Sequence, residues 1–473
     1  MTPGWLSTEA QEFLKRTYAR RSAFRRRFSY FYEEDIRFLQ RIIPRDSAVF
    51  LAGCDVSDLA AHLSFREIAI LELDEISLSL ATPPSIRRLT NLQELNEGPI
   101  PDYIVLPYSL SFLSDVQEFL ETLQASINPK TRIVLLQYNF LWTPLLKLFE
   151  KLSLKAPSQD LNWFSLNDLR NLLNLTNYDV ITTGARSLLP IRIPLLSAIV
   201  NRYLAPLPFF QWACLRMHIV ARPRRHPVLA SGDKASVSII IPARNEAGNI
   251  KPLLDRLPVI GNPCEVIFVE GHSKDHTWDE IQRQIGSHPR RSEFILKAYS
   301  QNGEGKADAM ELGFSLAHGE VLMILDADLS VQPEDLPHFY SALIQGSAEF
   351  LNGSRLVYKM ESKAMQVLNL FFNKVFGAFV SWLIGQPVKD TLCGTKVMFR
   401  SDYERLERNY SGLNRLDPFG DFRLLFGAGL LNLKICDVPV RYRERTYGST
   451  NIRRFKHGWQ LLKMCLSCWR YLK

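Results

Sequence analysis

The sequence predicts an α/β protein of two successive open sheets, and two observations carry that prediction. Short β-rich runs alternate with helix-length stretches up to a polar break near residue 222, and the same rhythm returns after it. The runs are continuously apolar rather than alternating, which marks strands covered on both faces and paired in parallel. A length of 473 residues also exceeds what one hydrophobic core organises.

In the first half the expected strands are SAVFLAG (47–53), EIAILEL (67–73), DYIVLPY (102–108), TRIVLLQY (131–138), YDVITTG (178–184) and MHIVA (217–221). The break, RPRRHPVLASGDKAS from Arg222 to Ser236, is rich in Pro, Arg and small polar residues and reads as a linker. The expected domains are therefore 1–221 and 236–473, with 222–235 between them. In the second half the strands are VSIIIP (237–242), EVIFV (265–269), EFILKAY (293–299), EVLMIL (320–325) and AEFLN (348–352). Both domains read as Rossmann-like sheets, whose ligands sit beyond the carboxyl ends of the strands.

Composition narrows the function classes. Hydrophobic content of 46% with 22% charged residues favours neither general disorder nor a membrane-embedded bundle. The net charge of +8 gathers at Arg20 to Arg27, Arg222 to Arg225 and Arg441 to Lys456, patches that attract anions. Charge alone does not choose among nucleic acid, acidic lipid and phosphorylated small molecules. Seven scattered cysteines form no disulfide framework and point to a reducing compartment. Cys465 and Cys468 form one C-x-x-C with no second ligand pair, so they are expected to pack as small apolar groups. Glu9, Glu12, Lys15 and Arg16 interrupt any secretory signal, and the apolar runs Ile133 to Leu146 and Val375 to Val388 fall short of the ~18 to 20 residues that cross a bilayer.

Chemistry concentrates at the strand ends of the second half. The run Val321 to Leu325 stops at Asp326-Ala327-Asp328. In extended backbone, residues two apart face the same side, so both carboxylates can address one Mg²⁺ or Mn²⁺ bridging diphosphate oxygens. The alternative is a carboxylate pair at a helix start, ahead of Pro333-Glu334-Asp335. Two further strand ends, PARNE (242–246) and EGHSKDHT (270–277), converge on the same mouth, and QNGEGKADA (301–309) brings glycines and Lys306 to a helix start suited to phosphate. That loop lacks the spacing of a Walker A motif.

With Asn352-Gly353-Ser354-Arg355, DTLCGTKVMF (390–399) and Arg445-Thr446-Tyr447-Gly448-Ser449-Thr450 following in order, the second half resembles family 2 glycosyltransferases of GT-A fold, closest to polyprenyl- or dolichyl-phosphate sugar synthases. The resemblance implies a UDP- or GDP-linked sugar as donor and polyprenyl phosphate or another glycan as acceptor. It assigns Pro242, Arg244, Glu246 and Glu270 to the base and ribose, Asp326 and Asp328 to the metal, Arg445 to the diphosphate, and Arg355 and Lys396 to the acceptor phosphate. Lys306 joins the donor set and Asp328 the catalytic set. Asp421, in DPFGDFRLLFGAG (417–429), stands where many members place a general base, which a hydroxyl acceptor needs and an anionic phosphate does not. The pattern is broken by Glu270-Gly271 in place of paired aspartates, by Ser330 in place of Gln, and by Thr450-Asn451 in place of Ser-Lys.

Arginines 441, 443 and 445 alternate as on one face of a strand. Ile452, Phe455, Trp459, Leu462, Leu466 and Trp469 form the apolar stripe of a C-terminal amphipathic helix, either lying in an anionic membrane surface or capping the core. The apolar stretch 364–384 is expected to be buried or interfacial. The expected placement is cytoplasmic, peripheral on the cytoplasmic face of the membrane, with no nucleic acid as partner.

Residues 28–221 resemble class I S-adenosylmethionine-dependent methyltransferases in the order of Gly53-Cys54, Glu72 and Asp74, DYIVLPYSLSFLSD (102–115) and INPKTRIVLLQYN (127–139). Where that family carries further glycines, Asp55-Val56-Ser57 brings side chains that crowd a cofactor. The favoured expectation is a degenerate or scaffolding domain, with an active methyltransferase as the alternative.

Overall fold

The computed structural model describes residues 5–73, 83–153, 155, 162, 164–224, 234–358, 367–417, 419–443, 447 and 454–472, and the side chains of 367–372, 414–416, 454–459 and 470 are outside that description. The chain divides into two compact units between Arg224 and Arg225. Each unit is built on a seven-stranded, mostly parallel sheet, which gives the expected α/β class.

In the first unit the strands are β1 (Ala48–Gly53), β2 (Glu67–Glu72), β3 (Ile86–Leu89), β4 (Tyr103–Pro107), β5 (Arg132–Tyr138), β6 (Tyr178–Arg186) and β7 (Arg216–Pro223), in spatial order β3-β2-β1-β4-β5-β7-β6. Helix Thr8–Arg27 starts where Ser7 accepts from the Ala10 amide, and Ser165 and Asp168 close a capping box at helix Leu166–Leu175. β7 runs to Pro223, past the expected start of the linker, because Arg222 is buried and pairs with Asp179 in the β6–β7 ladder at 3.1 Å. Most of the remaining linker lies outside the described residues.

In the second unit they are β8 (Val237–Ala243), β9 (Cys264–Glu270), β10 (Ile295–Ser300), β11 (Val321–Ile324), β12 (Phe350–Ser354), β13 (Lys396–Phe399) and β14 (Ile435–Pro439), in the order β10-β9-β8-β11-β13-β12-β14. Val237, Ile239, Ile240 and Ile241 of β8 are fully buried, and each such side chain contributes ~1.5–3 kcal/mol to folding.

The expectation of parallel pairing holds for most of each sheet and fails at β7, antiparallel to β5 and β6, and at β13, antiparallel to β11 and β12. Burial on both faces gives the same apolar run in either direction, so the pattern carries no sign of it. Residues 441–443 do not form a strand. Tyr442 makes one isolated bridge to Val331, while the Arg441 and Arg443 amides bond Asp335 and the Ser330 carbonyl.

The C-terminal helix, Arg454–Leu472, presents a different stripe from the one expected. Leu461, Met464, Cys465 and Cys468 are buried and Trp469 packs edge-on against Trp382, whereas Leu462 and Leu466 are exposed. The buried face fits because small cysteines let the helix approach helix Val367–Ile384, whose Val380, Leu383 and Ile384 are buried in the same core. Ile452, Phe455 and Trp459 of the expected stripe lie outside the described side chains.

Candidate functional site

Four chain segments meet at the carboxyl ends of β8, β9 and β11. The first joins β8 to helix Ala247–Arg256 through Arg244, Asn245 and Glu246. Asn245 adopts a left-handed backbone, and its amide and side chain bond Ser273 and the Lys274 amide, tying this turn to the one after β9. Glu246 is buried, accepts from Asn249 Nδ2 at 2.6 Å, and donates its own amide to Thr277 Oγ1. Glu270 is likewise buried and accepts from the Ser273 amide at 2.5 Å. Pro242 is half-buried and Arg244 exposed.

Asp275, within EGHSKDHT, organises this end of the mouth. It accepts from the Ala247 amide at 3.3 Å and from Tyr447 Oη at 3.2 Å. Tyr447 lies against Gly248, where any Cβ would overlap its ring, so Gly248 is required for that contact. Of the motif from Arg445 to Thr450, Tyr447 alone falls among the described residues. Its ring and hydroxyl stand at the β8 and β9 turns. The signal was available: a carboxylate two residues before a helix-starting Thr is placed to bond backbone amides.

The third segment, 301–306, reaches the same place through His272 Nε2, which lies 3.1 Å from the Gly303 carbonyl. It ends at Lys306, the first residue of helix Lys306–Leu316. Lys306 Nζ lies 2.7 Å from Asp326 Oδ1 and 3.3 Å from Asp421 Oδ2. Asp421 opens helix Asp421–Leu430, and the left-handed Gly420 before it abuts Ala307, where a Cβ would be crowded.

Burial alone would lower the Lys306 ammonium, but the carboxylates of Asp326 and Asp421 outweigh it and hold it well above its ordinary value. Burial pushes the Asp421 carboxyl up to about 6 against the pull of Lys306 and Lys396. Asp421 Oδ1 is buried with no hydrogen-bond partner among the described residues.

The Asp326/Asp328 pair is not the extended arrangement expected. The chain leaves the strand at Leu325 and turns at Ala327 and Asp328, with Leu329 in a left-handed conformation. Asp328 is buried and accepts the Ser330 amide at 2.9 Å, while the Asp326 side chain is 27% exposed and opens on the mouth. Gly394 borders Asp326 Oδ2 and Lys306 Nζ so closely that a Cβ would fill the space between them. Among the described residues no group of three or more His, Cys, Asp or Glu side chains forms a metal cage. Asp326, beside the space left at Gly394, offers one carboxylate of the kind a Mg²⁺-type ion takes, since such an ion needs few protein ligands and completes its shell from phosphates and water.

Arg355 and Lys396 lie in a buried polar network behind the mouth. Arg355 Nε and NH2 bond Asp390 Oδ2 and Oδ1 at 2.7 and 2.9 Å. Lys396, 1% exposed, donates to Asn352 Oδ1 at 2.6 Å and to the Cys393 carbonyl. Asn352 in turn bonds Asp437 and the Asp390 carbonyl. Both cations expected at the acceptor phosphate are therefore engaged by protein groups. Arg445 lies outside the described residues.

In the first unit, the place where a glycine turn follows β1 is closed. Asp55 is left-handed and paired with Arg21 and Arg25 of helix Thr8–Arg27. Glu72, at the end of β2, is 2% exposed and accepts the Ser57 amide at 2.6 Å. Asp74 lies outside the described residues.

Comparison with known proteins bears on the second unit. Residues 238–407 match the family model described as glycosyl transferase family 2. The chain is 28% identical over 244 residues to dolichol-phosphate mannosyltransferase of Pyrococcus furiosus, an alignment covering 48% of this chain and 64% of the relative. It is 27% identical over 231 residues to dolichyl-phosphate beta-glucosyltransferase of Dictyostelium discoideum, covering 45% of this chain and 68% of that one. Among solved structures, a mannosyltransferase from Pyrobaculum calidifontis in complex with GDP-Man and Mn²⁺ aligns at 18% identity and a TM-score of 0.37, over 53% of this chain and 68% of the other. Glucosyl-3-phosphoglycerate synthase from Mycobacterium tuberculosis aligns at 17% and 0.36, over 49% and 80%.

Proposed function

With residues 238–407 a family 2 glycosyltransferase domain, we propose that this chain moves a hexose-like sugar from a nucleoside diphosphate to a polyprenyl phosphate at the cytoplasmic face of a membrane, with inversion. The observation that carries the reading is Lys306, held between Asp326 and Asp421 at the mouth where the β8, β9 and β11 ends converge. An ammonium at a helix start suits a diphosphate. The relatives named for dolichyl-phosphate glycosyl transfer support the acceptor class.

In this reading the turns at Pro242 to Glu246 and Glu270 to Asp275 hold base and ribose, with Tyr447 closing over them and Arg445 reaching the diphosphate. Mg²⁺ or Mn²⁺, when bound by Asp326 and Asp328, neutralises the departing diphosphate. An acceptor phosphate oxygen attacks the anomeric carbon as the bond to the donor's diphosphate oxygen breaks, and the nucleoside diphosphate leaves with that electron pair. No proton need move, so Asp421 positions Lys306 rather than acting as base. Arg355 and Lys396 shape the acceptor side through Asp390 and Asn352, and phosphate contact by either requires release of its present partner.

A second reading, transfer to a saccharide or other hydroxyl acceptor, is favoured by one observation. A buried carboxyl pushed up to about 6, with one oxygen unpartnered among the described residues, suits a general base at neutral pH. Asp421→Asn separates the two: turnover on polyprenyl phosphate stays near normal in the first, and turnover on a hydroxyl acceptor falls by ~10²–10⁴ in the second.

For the first unit we favour a scaffold over a methyltransferase, because Asp55 and Glu72 spend their carboxylates on the protein itself. The primary test of the donor is a thermal-shift panel of UDP- and GDP-sugars with and without Mn²⁺. A shift needing both nucleotide sugar and metal, and lost in Asp326→Asn/Asp328→Asn, supports the reading; no shift with any donor sinks it.

A further inference from the structure

The first unit carries an apolar surface that its own core does not use. Leu195 is 82% exposed, Phe209 74% and Trp212 65%, and Ile199, Tyr203 and Leu148 are each about half exposed. Singly exposed apolar residues need no explanation, but a group of this size on two linked segments points to an interaction site.

The surface is built. Its two parts, residues 140–152 and 191–212, are joined by Asn139, which donates to the Trp212 and Cys214 carbonyls, and by Trp142 Nε1, which donates to the Ala213 carbonyl at 3.1 Å. Ser197 accepts the Ile193 amide and donates to the Ile191 carbonyl, and Asn201 bonds both backbone groups of Leu189. The segment thus turns its hydrogen bonds inward and its apolar side chains outward. Leu195 does so from a left-handed backbone, φ 62°, a conformation that costs a branched residue ~1–2 kcal/mol. A π-helical turn follows at Val200–Leu204, a geometry often retained at functional sites.

Charge chooses the occupant. No Asp or Glu occurs from Val180 to Gly232, and Lys147, Lys151, Arg192 and Arg202 are exposed among the apolar side chains. Glu150, the acidic residue of the neighbouring helix Thr143–Lys151, is paired with Lys155. Apolar and aromatic side chains interspersed with basic heads are what an anionic bilayer surface accepts: the former enter the headgroup region and the latter meet lipid phosphates. A protein partner would call for a specific polar rim of both signs.

We propose that residues 140–152 and 191–212 form a bilayer-contacting face that seats this chain on anionic phospholipid. The inference deepens the peripheral placement proposed above and is independent of the acceptor's identity. It assigns membrane contact to the first unit, whereas the sequence offered the C-terminal helix either as a membrane contact or as a cap on the core.

The test is flotation of the full chain with phosphatidylcholine vesicles, with and without phosphatidylglycerol. The native chain is expected to float with the anionic vesicles and to lose binding in high salt. Combined Leu195→Glu, Phe209→Glu and Trp212→Glu should cut binding at least about tenfold, and Arg192→Glu with Arg202→Glu should remove the preference for phosphatidylglycerol. All five positions are exposed, so an unchanged melting temperature and an unchanged thermal shift with nucleotide sugar verify the fold. Native flotation that the triple variant retains overturns this face while leaving peripheral placement intact. Failure of the native chain to float overturns both, as does a dimer that the triple variant splits without any vesicle binding.

Discussion

Arg355 and Asp390 form a bidentate ion pair at 2.7 and 2.9 Å, and Asn373 adds a third bond to the same carboxylate at 3.0 Å. Burial alone would raise Asp390, yet the facing guanidinium and these bonds hold it at about 2. Removing one partner of a buried pair leaves an uncompensated charge, so Arg355→Ala is expected to cost ~3–5 kcal/mol in urea denaturation. Arg355→Lys should recover little of it, since an ammonium does not reproduce the planar fork. Because the folded value lies below the ordinary 3.8, this stabilisation is present above 3.8 and is lost as pH falls through about 2.

Asp421 has the opposite sign. Its carboxyl is raised from 3.8 to about 6, so the folded state holds its proton more tightly than the unfolded chain does. The resulting stabilisation is complete below 3.8 and is lost as pH rises through about 6. The difference in unfolding free energy between the native chain and Asp421→Asn should therefore fall across that window, with a slope of at most ~1.4 kcal/mol per pH unit. A flat difference would show that Asp421 ionises freely.

The two sheets were legible because buried parallel strands announce themselves as apolar runs such as Val237 to Ile241 and Val266 to Val269. β3, β13 and β14 were not, and the reason is chemical. IRRL has two arginines at its centre, KVMF begins with a buried lysine, and ICDVP is interrupted by an aspartate that serves Asn352. At the site, the converging turns were readable from polar residues at strand ends. The contact of Lys306 with Asp421, 115 residues apart, was not, because pairing across that distance is set by the fold rather than by spacing. The C-terminal stripe was misassigned for a similar reason: Cys465 and Cys468 pack as apolar groups, as expected of them, yet they were left out of the stripe, which moves the buried face by about one residue.

The first unit makes a calorimetric prediction. Arg21 and Arg25 hold Asp55 over the turn after β1, and burial raises Glu72 to about 7 while it accepts the Ser57 amide. A cofactor would have to displace these contacts, so titration with S-adenosylmethionine should give no binding heat. Asp55→Gly alone should not restore it, because Glu72 remains turned inward. Measurable binding by the native chain would reinstate a methyltransferase.

Lys306 yields the last expectation. It is the shared counter-ion of Asp326 and Asp421, and Lys306→Met keeps much of its length while removing the charge. Two carboxylates then face each other in a partly buried mouth, which favours protonation of one of them. The variant should be destabilised by ~3–5 kcal/mol near neutral pH. It should recover much of that loss at a pH of about 5, where one carboxyl takes up the missing proton. Urea denaturation at both pH values reads the effect, and the order matters: a loss equal at the two would mean that Lys306 contributes packing alone. Mn²⁺ supplies a second check, since a cation drawn to Asp326 replaces the lost positive charge. It should therefore raise the melting temperature of Lys306→Met more than that of the native chain.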